Sequence, residues 1–481
     1  MAHEIGPFST AVDMLAALDA KAISSVELVE MHLARIDKHD EALNSIPVRT
    51  ADRALDTARA ADQARAAGES RALLGLPMTL KESTQVAGLP QSAGIEAFKD
   101  YRPQADGAIA RSVLGAGACL LGKTNIPEAV ADWQADSPVY GRTNNPWDLE
   151  RTPGGSTGGG SAALAAGLTP LEIGSDIGGS IRVPAAYCGV YGHRPSETAV
   201  PRTGSFPLAD RLNPAVVMAV QGPLARSATD LELLFDVVAG PNDLETIGFR
   251  IDLPAARHER LRDFRVAIMP ALSLAQPSSE MQAKVDELAS LLSSAGAKVG
   301  EAMPAVDHDA YFRDYMTVLV AITSQAQPRA SREESAAAMD RSDPQQDSVA
   351  LGLTIDAAGY MMALNRRGAA QAVWQDFFRE WDVLVSPAAL DAAFTHRTGD
   401  QRTRSLDIDG REVPYTLNIV YPMWAIFTGQ PATAFPAGLS AAGLPLGLQA
   451  IGPYLEDRTT LRFAQLLERE WHAFEPPPAF A

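Results

Sequence analysis

Cysteine is nearly absent: 481 residues hold two, Cys119 and Cys188. Both stand among apolar residues (GACLLG, AAYCGVYG), so they read as buried thiols, and a disulfide-stapled scaffold is excluded. Basic charge is in deficit. Lys and Arg number 41 against 59 Asp and Glu, for a formal net charge of −18. Such a field repels nucleic acid and anionic lipid headgroups, so neither is expected as a partner. A membrane span is not expected either, because the uncharged run 154–171 is too rich in Gly, Ser and Thr. The first residues, MAHEIGPFST, lack a basic segment followed by an apolar stretch, so no secretory signal is read and a cytoplasmic location is expected.

What is there is globular. Apolar residues make up 46%, with 37 Gly and 33 Pro, enough for a large core with many tight turns. Residues 8–70 read as helices, with Ser24 and Glu27 as a capping box and Ile23 and Leu28 as its staple. Residues 76–81 (LPMTLK) alternate like a strand, 108–116 read as a helix, and 118–121 as a buried strand. A glycine-rich loop, 154–160, runs into a helix at 161–167. A strand at 171–174 ends in the loop 175–180. Further on, 281–295 is an amphipathic helix, 329–347 a polar surface segment and 382–386 a buried strand. Two strands at 432–435 and 446–450 precede a final helix at 461–471. Strands alternating with helices predict a layered α/β fold. No boundary divides the chain, so one domain over 1–481 is expected.

Two motifs mislead. Gly117–Thr124 (GACLLGKT) matches the phosphate-loop pattern, which needs an exposed glycine-rich backbone after a strand. Here Ala118, Cys119, Leu120 and Leu121 look like the strand itself, so nucleotide binding is not expected. The stretch GGSTG at 154–158 matches the nucleophile elbow GxSxG, which follows a strand and needs a downstream His and acid. The preceding NNPWDLERTP forms no strand. None of His193, His258, His308, His396 or His472 stands in a catalytic context.

Three segments carry the remaining chemistry: LPMTLKES around Lys81, TPGGSTGGGSAALAAG around Ser156, and IGSDIGGSIRVPAAYCG around Ser180. Glycines let backbone amides approach a ligand and converge on one point. In Ile177-Gly178-Gly179-Ser180, successive N–H groups could face a developing oxyanion. A serine hydroxyl needs a base, and a lysine serves when burial populates its neutral amine. Lys81 precedes Glu82, but strand neighbours point to opposite faces, so the two need not pair. Taken singly, each of these residues reads as a surface lysine or a turn serine. Together they point elsewhere.

These segments resemble the amidase signature family of Ser–cis-Ser–Lys hydrolases. The likeness extends through GKTNIPE (122–128), YGRTNNPWD (140–148), TGQPATAFPAG (428–438) and GLPLGLQAIG (443–452). The resemblance implies a single layered α/β/α domain with a central mixed, twisted sheet flanked by helices. In it, 1–70 would be N-terminal helices, 71–240 the catalytic core, 241–400 a variable pocket region and 401–481 C-terminal core. It implies Ser180 as nucleophile and Ser156, in a cis peptide, as proton relay to Lys81. The amides of Ile177, Gly178, Gly179 and Ser180 would form the oxyanion hole. Asp176 and Arg182 would brace the loop, and Thr157 would join the serine network. The implied activity is hydrolysis of carboxamides, with esters and carbamates as further substrates, and without metal or cofactor. Thr157 and Ser83 depart from residues common in the family without removing a triad member.

Two rivals are weighed. One is the amidase-like component of a tRNA-dependent amidotransferase that uses glutamine, although AVADWQADSPVYG does not look like its usual segment. The other is an inactive binding module, which the complete triad disfavours. Segments 311–319, 361–367 and 421–427 are the pocket candidates, with ordinary core as the bland reading of each. Their Met, Trp, Tyr and Phe would suit an aryl or alkyl acylamide. The resemblance leaves a homodimer open.

Overall fold

The computed structural model describes residues 5–209 and 211–481. At the N-terminus, Ser24 and Glu27 cap the Ser25–Leu43 helix reciprocally. Glu27 N–H donates to Ser24 Oγ at 3.1 Å and Ser24 N–H to Glu27 Oε2 at 2.8 Å. The helix ends where Asn44 turns left-handed at φ 52°, a conformation that asparagine tolerates.

Among the described residues eleven strands form one mixed sheet, with Val48–Arg49 at one edge, antiparallel to its neighbour. One half contains Cys119–Thr124, Pro77–Lys81 and Leu171–Asp176, parallel to one another in that order. Val220–Ala225 follows antiparallel, then Tyr191–Arg194 and Ala432–Leu439. Pro445–Ile451, Val383–Pro387, Arg265–Ile268 and Lys298–Glu301 complete the other half. The 241–400 stretch therefore supplies three strands to the same sheet as 71–240. The segment 329–347, read as polar surface, contains the exposed helix Arg329–Ala337 and the start of Pro344–Thr354.

Alternation along Pro77–Lys81 places the site. Met78 and Leu80 enter the large apolar cluster with Leu120, Leu171 and Ile173. Thr79 and Lys81 therefore face the other side of the sheet. There the Gly158–Ala165 helix packs across four strands. Its glycines allow the approach: a Cβ on Gly159 would lie 2.3 Å from the Asn125 amide nitrogen. The expected helix at 161–167 thus begins three residues earlier, because the glycines themselves form its first turn against the sheet.

Both misleading motifs resolve. Cys119–Thr124 is a strand, and Lys123 is buried and donates to the Pro90 carbonyl. No exposed loop is left there to wrap a phosphate. His193 has an acid and a hydroxyl at hand, Asp457 Oδ1 at 3.2 Å and Thr433 Oγ1 at 2.9 Å. All three side chains are fully buried, and Asp457 also takes the amide and hydroxyl of Ser196. This is a core network that ties the Tyr191–Arg194 strand to the C-terminal helix.

Candidate active site

Lys81 sits at the end of its strand with no exposed surface. Its Nζ lies 2.7 Å from Ser156 Oγ, 3.0 Å from Thr157 Oγ1 and 3.0 Å from Ser175 Oγ. Hydroxyls both donate and accept, so this shell serves an ammonium and a neutral amine equally. Among the described residues no carboxylate forms an ion pair with it. Glu82, the adjacent residue, points away and accepts from Ser92, Ala93 and Tyr140. Burial pulls the Lys81 pKa from its usual range down to about 7, against the opposing pull of Asp176 and Glu172.

Ser156 follows a cis peptide bond at Gly155–Ser156. Gly155 has no room for a side chain, since a Cβ would fall 2.4 Å from the Asp132 carbonyl oxygen. The segment 132–134 therefore packs directly under this loop. Thr157 N–H donates to the Ser180 carbonyl at 3.1 Å and ties the two serine loops together. Gly174 makes space for Thr157: a Cβ there would meet its Oγ1 and Cγ2 at 2.7 Å.

Ser180 is 8% exposed, the most accessible of the three residues. Its hydroxyl has no hydrogen-bond partner among the described residues, and none joins it to Ser156. The loop before it is held from below by Asp176. That carboxylate accepts from Gly179 N–H at 3.0 Å, Ile181 N–H at 3.2 Å and Arg182 Nε at 3.1 Å. Burial works to raise the Asp176 pKa, but the guanidiniums of Arg182 and Arg194 outweigh it and hold it low. Arg182 reaches on to the Pro422 carbonyl and Gln449 Oε1. Asp176 and Arg182 thus tie the loop to the strand below it and to the segment at Pro422.

The expected four-amide cradle needs a correction. The Gly179 N–H is spent on Asp176, because φ of +91° at Gly179 turns its amide down toward the carboxylate. The amides of Ile177, Gly178 and Ser180 donate to no acceptor among the described residues.

Two site residues escaped sequence reading. Ser175 brings a third hydroxyl to Lys81. Glu172 is fully buried on the strand Leu171–Asp176, paired with Thr79 in register. Its Oε1 accepts from Thr124 Oγ1 at 2.8 Å, its Oε2 has no partner among the described residues, and burial raises its pKa to about 8. The signal was a lone carboxylate inside an apolar strand, LEIG.

The pocket segments separate. From 311–319, Tyr315 OH reaches the Ile177 carbonyl at 3.1 Å. From 361–367, Met361 and Met362 are exposed, and Arg367 is paired with Glu197. From 421–427, Trp424 is sealed in core, stacked on Tyr311 at 4.7 Å. Two surface cavities, of about 450 and 330 Å³, are lined by none of Lys81, Ser156 and Ser180.

Among the described residues, the site is a buried lysine with no ion-pair partner, 2.7 Å from Ser156, beside the loop that carries Ser180. A family model for amidases matches residues 27–461, and the chain belongs to the amidase signature family. It is 31% identical to a glutamyl-tRNA(Gln) amidotransferase component from Synechococcus sp. strain CC9605, over 96% of each chain. It is 32% identical to the counterpart from Anaeromyxobacter sp. strain K, again over 96% of each. Among solved structures it superposes on a bacterial aryl acylamidase with a TM-score of 0.80 and 26% identity, covering 97% of this chain and 96% of the other. No helix among the described residues is long and apolar enough to cross a membrane.

Proposed function

We propose that the protein hydrolyses carboxamides through Ser180, Ser156 and Lys81. Ser180 Oγ attacks the carbonyl carbon and gives its proton to Ser156 Oγ, which passes its own to neutral Lys81 Nζ. The amides of Gly178 and Ser180, with Ile177 beside them, stabilise the oxyanion. The amine leaves after taking a proton back along the same path, and Ser180 keeps the acyl group as an ester. Water then attacks that ester and gives a proton to the same path; as the Ser180 Oγ–acyl bond breaks, that proton returns to Ser180 Oγ and the acid leaves. Thr157 and Ser175 hold Lys81 in place through both proton transfers.

The observation that carries this proposal is Lys81: fully buried, unpaired among the described residues, and 2.7 Å from Ser156 Oγ. An inert structural lysine has no reason to be desolvated against three hydroxyls. The test is turnover of an aryl anilide by Lys81→Ala, Ser156→Ala and Ser180→Ala. Each is expected to lose at least ~10³-fold in kcat, because the three residues act as a unit. Near-normal turnover by Ser180→Ala would end the proposal.

A second reading is favoured by the relatives described as amidotransferase components. In it, this chain releases ammonia from glutamine for a partner protein. The chain purified alone and assayed on glutamine and on anilides separates the two. Anilide turnover without glutaminase activity supports the acylamidase. Glutaminase activity that appears only with a copurifying partner supports the amidotransferase role.

A further inference from the structure

Three successive peptide units run through the loop before Ser180, and each carbonyl has a donor. The Ile177 carbonyl accepts from Tyr315 OH at 3.1 Å. The Gly178 carbonyl accepts from Trp133 Nε1 at 3.0 Å. The Gly179 carbonyl accepts from Val183 N–H at 2.8 Å. In a trans peptide the C=O and N–H of one unit point in opposite directions. Fixing the carbonyl therefore aims the N–H of the following residue. For the middle unit both ends are held, Trp133 at the oxygen and Asp176 at the Gly179 N–H. For the first unit only the oxygen is held, and the Gly178 N–H is left free to meet a ligand.

We infer that Tyr315 and Trp133 are positioning residues for the oxyanion hole: the phenol aims the Gly178 amide, and the indole locks the unit after it. The assignment rests on the serine-hydrolase reading above. Neither residue belongs to the glycine motif. Tyr315 comes from the helix His308–Thr323, far along the chain, and Trp133 from the segment packed under the cis peptide. Both side chains lie in one apolar cluster with Ile419, and Ile177 packs against it. Burial keeps the Tyr315 phenol protonated, and so a donor, far above neutral pH. Trp133 is in turn held from behind. Asp132 accepts from the Trp133 amide, from Arg404 at 2.6 Å and from the Tyr415 hydroxyl, while Tyr415 packs against the indole at 5.4 Å.

The test is Tyr315→Phe, which removes one oxygen and keeps the ring, alongside Trp133→Phe. Misaiming one donor rather than deleting it is expected to lower kcat about 10- to 100-fold. KM should stay within about twofold, since a planar substrate carbonyl makes little use of the hole. An aryl boronic acid, which becomes tetrahedral on Ser180, should bind weaker by the same factor as kcat falls. A bond that only supports the fold would lower the melting temperature and leave kcat and boronate affinity at the wild-type level. That result in Tyr315→Phe overturns the inference. Should Trp133→Phe fail to fold, Tyr315→Phe decides alone. Wild-type turnover together with an inactive Ser180→Ala keeps the hydrolase reading intact whichever way Tyr315→Phe falls. Loss of that reading removes the inference with it.

Discussion

Lys81 Nζ stands 2.7 Å from Ser156 Oγ, and within the described residues the nearest acidic groups act on it only at a distance. A lysine at a surface would carry its proton at every physiological pH. Here desolvation works against the charge, and hydroxyls rather than carboxylates surround it. The amine can therefore be a base. The proposed chemistry rests on that choice of neighbours.

The pH dependence of kcat/KM should report it. Lys81 must be neutral to accept a proton, and its pKa is drawn down to about 7. Activity is therefore expected to rise with pH through about 7 and to fall roughly tenfold per unit below that limb. A profile flat from pH 5 to 9 would contradict a lysine base.

Stability should carry the same signature with two opposite signs. Unfolded Lys81 binds its proton up to its usual pKa of 10.5, and folded Lys81 only up to about 7. Between those values the unfolded state holds more protons, so this group's contribution to stability rises with pH. Lys81→Met should melt higher than wild type at pH 7, with the gap shrinking toward pH 10. Glu172 runs the other way. Its folded pKa is about 8 against 4.5, so its contribution is full at low pH and is lost as pH rises through the folded value. Glu172→Gln should match wild type near pH 4 and gain on it up to pH 8. Melting curves by circular dichroism across that range check both.

Asp176→Asn should be costly. It leaves the buried Arg182 guanidinium without its carboxylate, and one amide oxygen replaces the two that accept from Gly179, Ile181 and Arg182. Breaking a buried pair from one side costs about 3–5 kcal/mol. Urea denaturation measures it, and a loss under about 1 kcal/mol would show that the Asp176–Arg182 pair does not hold the loop.

Much of the site is legible in the sequence because it is local. Alternation in LPMTLK sends Lys81 to the opposite face from Met78 and Leu80. The glycines of 154–160 and 178–179 mark where backbone must come close. The rest depends on contacts that no local pattern encodes. Strand order is one: Cys119–Thr124 lies outside Pro77–Lys81, and strands from 265–301 and 383–387 join the far half of the sheet. Gly179 is another, because its amide is captured by Asp176 only once φ turns positive. Tyr315 and Trp133 are the clearest case. Their hydrogen bonds to adjacent carbonyls span 138 and 45 positions, so neither spacing nor composition could pair them. Trp424 shows the reverse: of the two readings open for its segment, pocket or core, this side chain takes core, stacked on Tyr311.

The most direct measurement is the mass of the covalent adduct. The protein is incubated with a fluorophosphonate, or quenched during turnover of an activated aryl ester, then digested and mapped by tandem mass spectrometry. The adduct is expected on Ser180 alone, absent from Ser180→Ala, and formed at least ~10²-fold more slowly in Lys81→Ala. Modification of a different residue, or labelling of Ser180→Ala at the wild-type rate, would contradict the account.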